Sequence, residues 1–320
     1  MDMIQIFADI VSYKWMGLLP ESYIGSAVNF FILDFVKIGI LLFLVNYLMA
    51  VIRYYFPVEK ARDVLSKKHW LPFSYLLAAL LGVITPFCSC SSIPLFIGFL
   101  GAGIPLGITF TFLISSPLIN EASLYLFPAI FGWKVTVLYN FFGILIAIMG
   151  GILIQKLKLE KYVIPKIFVF KSRKEIEKEG KPSFKELASL FFNEGNKITK
   201  SLLLYVVLGI ALGALIHGFV PSGLIEQYLS GESFWTVPIA VLLAVPLYAN
   251  SITVLPIMEA LVSKGASFGT VISFMTAVVA LSLPEALMLK KVMRWPLLAI
   301  FFGITIVGII LMGYLFNFIF

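Results

Sequence analysis

Charge is scarce in this chain of 320 residues. Only 13% of the residues are charged, whereas 60% are hydrophobic and the mean hydropathy is +1.01. A soluble domain has about 25% charged residues, so the composition excludes that class and indicates a polytopic membrane protein. The length gives room for roughly ten spans of about 20 residues. The net charge of +7 is explained by basic cytoplasmic loops. For that reason we expect no nucleic-acid partner.

Cysteine is also rare, and several motifs of soluble enzymes are absent. The two cysteines, Cys88 and Cys90, are too close in sequence to join distant elements, which excludes a disulfide framework. Asp2 and Asp9 stand where a cleavable signal would carry basic residues, so we expect no such signal. No phosphate-binding loop or hydrolase triad is visible. We therefore expect no enzyme, no cofactor and no bound metal, and an energy source in an ion gradient or a separate partner.

One polar stretch interrupts the apolar pattern. Thr85-Pro86-Phe87-Cys88-Ser89-Cys90-Ser91-Ser92-Ile93-Pro94 carries both cysteines and no charge. Because proline removes a backbone donor, Pro86 and Pro94 predict a broken helix. In lipid such a break survives only inside protein or beside a watery cavity, which makes the stretch a candidate binding site. The alternative is a polar kink that helps helices to pack.

The apolar runs occur in two sets of five. They fall at about 26–52, 70–86, 93–103, 105–130 and 135–155, and at about 200–219, 236–249, 252–263, 267–287 and 296–319. The run at 93–103 reaches only about 16 Å as a helix, half of an about 30 Å hydrocarbon core. Runs two and three therefore form either a hairpin with its tip in mid-membrane or two full crossings.

A long polar segment separates the two sets. Residues 156–200 carry twelve Lys or Arg and six Glu, which indicates a cytoplasmic linker. Ser183 followed by Glu186 predicts a capping box that opens a helix leading into the sixth span. The expected organisation is a first membrane repeat with an N-terminal interfacial segment, a basic linker and a second membrane repeat. Their bounds are 1–155, 156–199 and 200–320.

The second set echoes the first. Gly103 and Gly107 match Gly265 and Gly269, and Glu121 matches Glu285 after a two-residue slip. Basic clusters at 53–69, 156–200 and 290–294 all fall in the cytoplasm only if the second repeat is inverted. We therefore predict an all-α membrane protein with about ten segments in two inverted five-segment repeats, with broken helices or hairpins at mid-membrane, a transporter arrangement.

Three motifs of the first half carry a resemblance to a known family. They are Thr-Pro-Phe-Cys-Ser-Cys-Ser-Ser-Ile-Pro at 85–94, Gly-Ala-Gly-Ile-Pro-Leu-Gly at 101–107 and Ser-Ser-Pro-Leu-Ile-Asn-Glu at 115–121. With Pro-Leu-Tyr at 246–248 and Ser-Leu-Pro-Glu at 282–285, the chain resembles the YraQ/ArsP-type predicted permeases. That resemblance implies a multi-pass permease of a prokaryotic inner membrane. It also implies that some relatives export trivalent arsenicals.

A second polar break is predicted at Pro246-Leu247-Tyr248-Ala249-Asn250-Ser251 in the second half. The two polar breaks supply candidate substrate ligands. Thiolates suit soft, thiophilic species such as trivalent arsenic, so Cys88 and Cys90 are candidates for reversible binding. The alternative is that both behave as small buried apolar residues. We expect the two breaks to line one cavity. The predicted substrate-binding residues are Cys88, Ser89, Cys90, Ser91, Ser92, Asn250 and Ser251.

Intramembrane carboxylates are the remaining candidates. Glu121, beside Asn120, and Glu285 fall in or next to apolar runs, where ionisable residues are costly and usually functional. They predict proton coupling; helix-end packing is the alternative. The leading hypothesis is a secondary transporter for a small solute, which is a trivalent metalloid, an organoarsenical or a sulfur-containing anion. The alternatives are a channel or partner-dependent permease and, more distantly, a membrane thiol/redox enzyme. Expected partners are membrane lipid and the solute; a homo-oligomer is left open.

Overall fold

The computed structural model describes most of the chain. The described residues are 3–20, 22–55, 71–84, 89–101, 103–119, 122–164, 183–219, 233–247, 254, 258, 261–262 and 265–320. Within them the chain is almost wholly helical, and the only β-type pairing is an isolated antiparallel bridge between Val163 and Met293. The all-α prediction is therefore confirmed for the described residues.

Twelve α-helices with given bounds lie within the described residues, and Val254, Met258, Leu261 and Val262 are helical as well. In chain order they are α1 (Met3–Asp9), α2 (Tyr23–Tyr55), α3 (Leu71–Ile84), α4 (Ser89–Gly101), α5 (Leu106–Leu118), α6 (Phe127–Ile130), α7 (Gly132–Lys156), α8 (Phe184–Phe219), α9 (Thr236–Ala244), α10 (Phe268–Ala280), α11 (Leu283–Lys290) and α12 (Trp295–Ile319). Two π-helical turns, Ile10–Trp15 and Ala122–Leu126, and a 3-10 turn, Leu159–Tyr162, complete the set.

The helices differ in their capacity to cross a membrane. Three of the described segments, Tyr23–Leu48, Gly132–Lys156 and Trp295–Ile319, are long and apolar enough to span a bilayer. By contrast α3, α4, α5 and α10 have 13 or 14 residues each. At about 1.5 Å per residue such helices reach only about 20 Å, too short for an about 30 Å core.

Two apolar runs each contain more than one helix. The run at 105–130 forms α5, a π-helical turn and α6, and the run at 267–287 forms α10 and part of α11. Pro117 lies next to the last residue of α5, and Ser282 stands between α10 and α11. Apolar composition alone does not reveal where such helices end.

The helix that leads into the sixth span begins as predicted. The Ser183 N–H donates to the Glu186 carboxylate over 2.7 Å, and α8 starts at Phe184. The carboxylate thus satisfies one of the backbone donors that a helix start leaves without an intrahelical acceptor. The carboxylate half of the predicted capping box is confirmed.

The chain forms two packing units. The first comprises residues 1–38, 205–287 and 302–320; the second comprises residues 39–204 and 288–301. In the second unit α5 is the centre of the core, since all thirteen of its residues are buried against its neighbours. In the first unit α10 has a similar place, with nearly every residue buried.

A tight turn recurs in both units. Gly103 precedes α5 with φ of 76°, and Gly265 precedes α10 with φ of 84°. In each turn the glycine N–H bonds the carbonyl three residues back, Leu100 or Val262. Only glycine adopts this left-handed conformation without steric cost. The predicted match between these two glycines is therefore reproduced in backbone geometry.

The helix after each turn is held by the same contact. The Gly107 N–H donates to Gln155 Oε1 over 2.7 Å, and the Gly269 N–H donates to Asn317 Oδ1 over 2.6 Å. A side chain at Gly107 would run into the Gly151 carbonyl, and one at Gly269 would run into the Gly313 carbonyl. Each unit thus contains a short helix crossed closely by a long one, with a side-chain amide bonding the short helix near its start. We call these contacts the two amide clasps.

Candidate functional site at the helix breaks

The polar stretch is helical over more of its length than predicted. Helix α4 begins at Ser89 and continues through Pro94, so the expectation that this proline ends a break is wrong. Pro94 only lacks the N–H that would bond the Cys90 carbonyl one turn back, a loss that buried membrane helices tolerate. Helix is described up to Ile84 and again from Ser89, and residues 85–88 lie outside the described residues.

The predicted ligands of this stretch fall mainly in the first turn of α4. Ser89, Cys90 and Ser91 are helical in backbone, and Ser92 is fully buried. Cys88 lies outside the described residues. The stretch between Ile84 and Ser89 is at most about 18 Å long when extended, so the start of α4 stays near the end of α3.

The surrounding helices show the relative directions of α3, α4 and α5 within the second packing unit. Tyr75 of α3 lies beside Gly107, and Gly82 lies beside Ser115, so α3 and α5 run in the same direction. Because α4 connects the end of α3 to the start of α5, α3 and α4 run in opposite directions. Both a hairpin with its tip in mid-membrane and two full crossings require this arrangement, so the choice between them stays a prediction.

Positions along α7 show where α5 ends within the same unit. The Leu118 carbonyl at the end of α5 accepts a hydrogen bond from the Tyr139 hydroxyl over 2.8 Å. Tyr139 is about 10 Å from the start of α7 and about 26 Å from its end, at about 1.5 Å per residue. The end of α5 therefore lies well inside the span of α7. Gly82, beside Ser115 and Ser116, brings the end of α3 close to the same depth.

Helix α7 also provides partners beyond the end of α5. Asn140 Nδ2 donates to the Thr136 carbonyl over 2.8 Å and to the Ser123 carbonyl over 3.4 Å. The Ser123 hydroxyl in turn donates to Asn140 Oδ1 over 3.1 Å. Tyr139 and Asn140 thus bond backbone carbonyls on both sides of the interval at residues 120–121. Asn120 and Glu121 themselves lie outside the described residues.

A second break lies in the first packing unit, between α10 and α11. The Ser282 hydroxyl accepts a hydrogen bond from the Glu285 N–H over 3.3 Å, so Ser282 caps α11. The Glu285 side chain is fully buried. Because Ser-x-x-Glu is also a capping-box sequence, a helix-capping role is the structural alternative to proton coupling for this carboxylate.

A third helix end follows α9. This helix stops at Ala244, and the Leu247 N–H bonds the Ala244 carbonyl in the turn that contains Pro246. The predicted helix end at Pro246 is confirmed. Asn250 and Ser251 lie outside the described residues, so their predicted role stays a prediction.

The structure adds residues that the sequence analysis did not select. Tyr139 is fully buried, and its role at the end of α5 is invisible in a sequence where Tyr is common in apolar runs. Buried hydroxyls also line α5 and α10; they are Thr109, Thr111, Ser115, Ser116, Thr270, Ser273 and Thr276. Among the described residues no three His, Cys, Asp or Glu side chains form a group that could hold a metal ion.

Comparison with known proteins gives the family. A family model described as a predicted permease, ArsP_1, matches residues 23–318. The chain belongs to this predicted permease family. It is also 22% identical over 296 residues to UPF0718 protein MJ0584 of Methanocaldococcus jannaschii, covering 76% of this chain and 81% of that protein. No solved structure matches the chain.

The family match covers every helix break described above. It agrees with the resemblance that the motifs at 85–94, 101–107 and 115–121 indicate. A permease must carry solute past the hydrocarbon core, and polar groups at the ends of short helices provide an interior lining that continuous apolar helices lack. The breaks are therefore the candidate site of this permease.

The structure predicts that Tyr139 stabilises the break after α5. Tyr139→Phe leaves the buried Leu118 carbonyl without its hydroxyl donor, and we expect a loss of about 1–3 kcal/mol in the free energy of unfolding. The matched control is Tyr125→Phe, whose side chain is 77% exposed; it should change stability by less than about 0.5 kcal/mol. Unfolding in detergent micelles measures both. Equal stability of the two variants would contradict this role.

Proposed function

We propose that this permease is a secondary transporter that moves a small solute across a prokaryotic inner membrane. The observation that carries the proposal is the depth of the helix ends, since α5 stops at the level of Tyr139 inside the span of α7. Helix ends at that depth carry backbone donors and acceptors that can bind a polar solute. Between transport steps, the same groups can form hydrogen bonds with neighbouring protein groups.

The connection between α7 and α12 supports an inverted repeat. Helices α7 and α12 occupy equivalent places, because Gln155 and Asn317 each bond the start of a short buried helix. The bridge between Val163 and Met293 joins the segment just after α7 to the segment just before α12. The end of one long helix is thus tied to the start of its equivalent. If both helices span the membrane, they cross it in opposite directions, as inverted repeats require.

We propose the polar residues of the breaks as the substrate ligands. The first turn of α4 carries Ser89, Cys90, Ser91 and Ser92, and the N-terminus of a helix favours an anionic or electron-rich group. Cys88 and Cys90 add affinity only for thiophilic cargo. Asn250 and Ser251 are proposed for the corresponding break in the second half. The proposed substrates are a trivalent arsenical or a sulfur-containing anion.

We propose that buried carboxylates couple transport to protons. Glu285 is the one whose burial is described, and it lies next to the break between α10 and α11. An acid buried in a membrane protein is usually functional because its charged form is costly there. Glu121, with Asn120 beside it, is proposed for the same role in the first half.

Glutamine at position 285 distinguishes proton coupling from helix capping. Gln fills the capping-box position as well as Glu but carries no titratable proton. In proteoliposomes we expect Glu285→Gln to reduce pH-driven uptake at least about tenfold while counterflow at equal pH persists. The assay uses radiolabelled arsenite and sulfite as trial substrates.

The control for this experiment is Glu160→Gln, an exposed carboxylate outside the spans. It should leave both pH-driven uptake and counterflow at wild-type rates. If Glu285→Gln showed wild-type pH-driven uptake, Glu285 would have a helix-capping role and no role in proton coupling. Loss of both activities with an intact fold would assign Glu285 to solute binding instead.

Serine at positions 88 and 90 tests the thiol hypothesis. Serine keeps a small polar group but cannot ligate arsenic as a thiolate does. We expect the double variant Cys88→Ser/Cys90→Ser to lose arsenite transport and to keep transport of an oxyanion. The two single variants show whether one sulfur suffices. Full arsenite transport by the double variant would make both cysteines packing residues.

A further inference from the structure

Backbone hydrogen bonds connect two basic segments that are far apart in sequence. The Ile164 N–H donates to the Val292 carbonyl, and the Arg294 N–H donates to the Tyr162 carbonyl, each over 2.9 Å. Together with the bridge between Val163 and Met293, these bonds hold the start of the linker against the loop before α12. We call residues 156–164 and 290–294 the basic platform.

Charge on the platform is almost entirely of one sign. Its basic residues are Lys156, Lys158, Lys161, Lys290, Lys291 and Arg294, and its single acidic residue is Glu160. Glu160 accepts a hydrogen bond from Gln155 Nε2 over 3.1 Å. Five of the six basic side chains are exposed. Burial lowers the pKa of the sixth, Lys291, because a partly desolvated ammonium is costly in its charged form.

Aromatic rings stand beside these cations. Lys290 Nζ lies 4.6 Å from the centre of the Trp295 ring, and Lys161 Nζ lies 5.0 Å from that of Tyr162. Trp295 is 62% exposed and is the first residue of α12. Trp and Tyr at the ends of membrane spans lie at the headgroup level, so the platform lies where lipid phosphates are found.

We propose that the basic platform is a binding site for the headgroup of an anionic phospholipid in the cytoplasmic leaflet. Charge complementarity favours this occupant, since six cations at headgroup level face a leaflet rich in anionic lipid. The positive-inside rule explains why such residues lie in the cytoplasm, but it does not require a bonded backbone that holds two clusters together. The site requires only that α7 and α12 cross the membrane, whatever the solute.

The opposite end of α7 provides a built-in control. Trp133 is 71% exposed, and Lys134 is the only charged residue between positions 122 and 155. Trp133 and Trp295 are therefore both exposed tryptophans at the ends of apparent spans, one beside a single cation and the other beside six. A lipid that binds through its negative charge should discriminate between them.

The experiment measures quenching of single tryptophans by brominated lipids. Two full-length proteins retain only Trp295 or only Trp133, with the other four tryptophans replaced by Phe, in vesicles of phosphatidylcholine and phosphatidylglycerol. Bromine is carried by one lipid at a time, so the ratio of quenching gives the relative affinity for the anionic lipid. We expect a preference of about fivefold or more at Trp295, the contribution of about one basic side chain near the surface, and none at Trp133.

Charge neutralisation identifies the residues responsible. Lys158→Gln, Lys161→Gln and Arg294→Gln together should remove the preference at Trp295, whereas Lys158→Arg, Lys161→Arg and Arg294→Lys should keep it. Equal quenching by the two lipids at Trp295 in the unmodified platform would overturn the proposal. So would loss of the preference in millimolar inorganic phosphate but not in chloride of equal ionic strength, which would indicate a site for soluble phosphate.

Discussion

A backbone group without a hydrogen-bond partner is expensive inside a bilayer, and the short helices of this permease depend on how that cost is met. Helix α5 ends beside α7, and the last carbonyls of a helix have no partner within the helix itself. The Tyr139 hydroxyl bonds the Leu118 carbonyl, and Asn140 bonds the Ser123 carbonyl beyond the interval. A long helix thus provides polar groups that let a short one end beside it.

The same principle operates at the start of each short helix. Gln155 and Asn317 accept the backbone N–H of Gly107 and Gly269, and glycines at the crossings let the paired helices approach closely. Small residues at crossings are the usual means of close packing in membranes. The clasps occur once in each packing unit. The sequence match between the two halves therefore corresponds to the same contact between a short helix and a long one. The breaks that this packing permits are the proposed sites of solute binding.

The sequence was sufficient for the helical class, the capping box at Ser183 and the matched glycine turns. These features depend on local chemistry, such as a positive φ at Gly103 or a carboxylate three residues after a serine. It was insufficient for the extent of α4 through Pro94 and for the division after α5, because both depend on which neighbours satisfy the backbone. Tyr139 could not be selected for the same reason. Five candidate residues lie outside the described residues, so their roles stay predictions; they are Cys88, Asn120, Glu121, Asn250 and Ser251.

The central claim is that equivalent long helices cross the membrane in opposite directions, and sidedness tests it most directly. Single cysteines are placed at the exposed positions Lys134, Lys158 and Lys290 in a background lacking Cys88 and Cys90. An impermeant maleimide applied to intact cells should label position 134 alone, and positions 158 and 290 only after permeabilisation. Labelling of positions 158 and 290 from opposite sides, or of all three from the same side, would contradict the inverted arrangement.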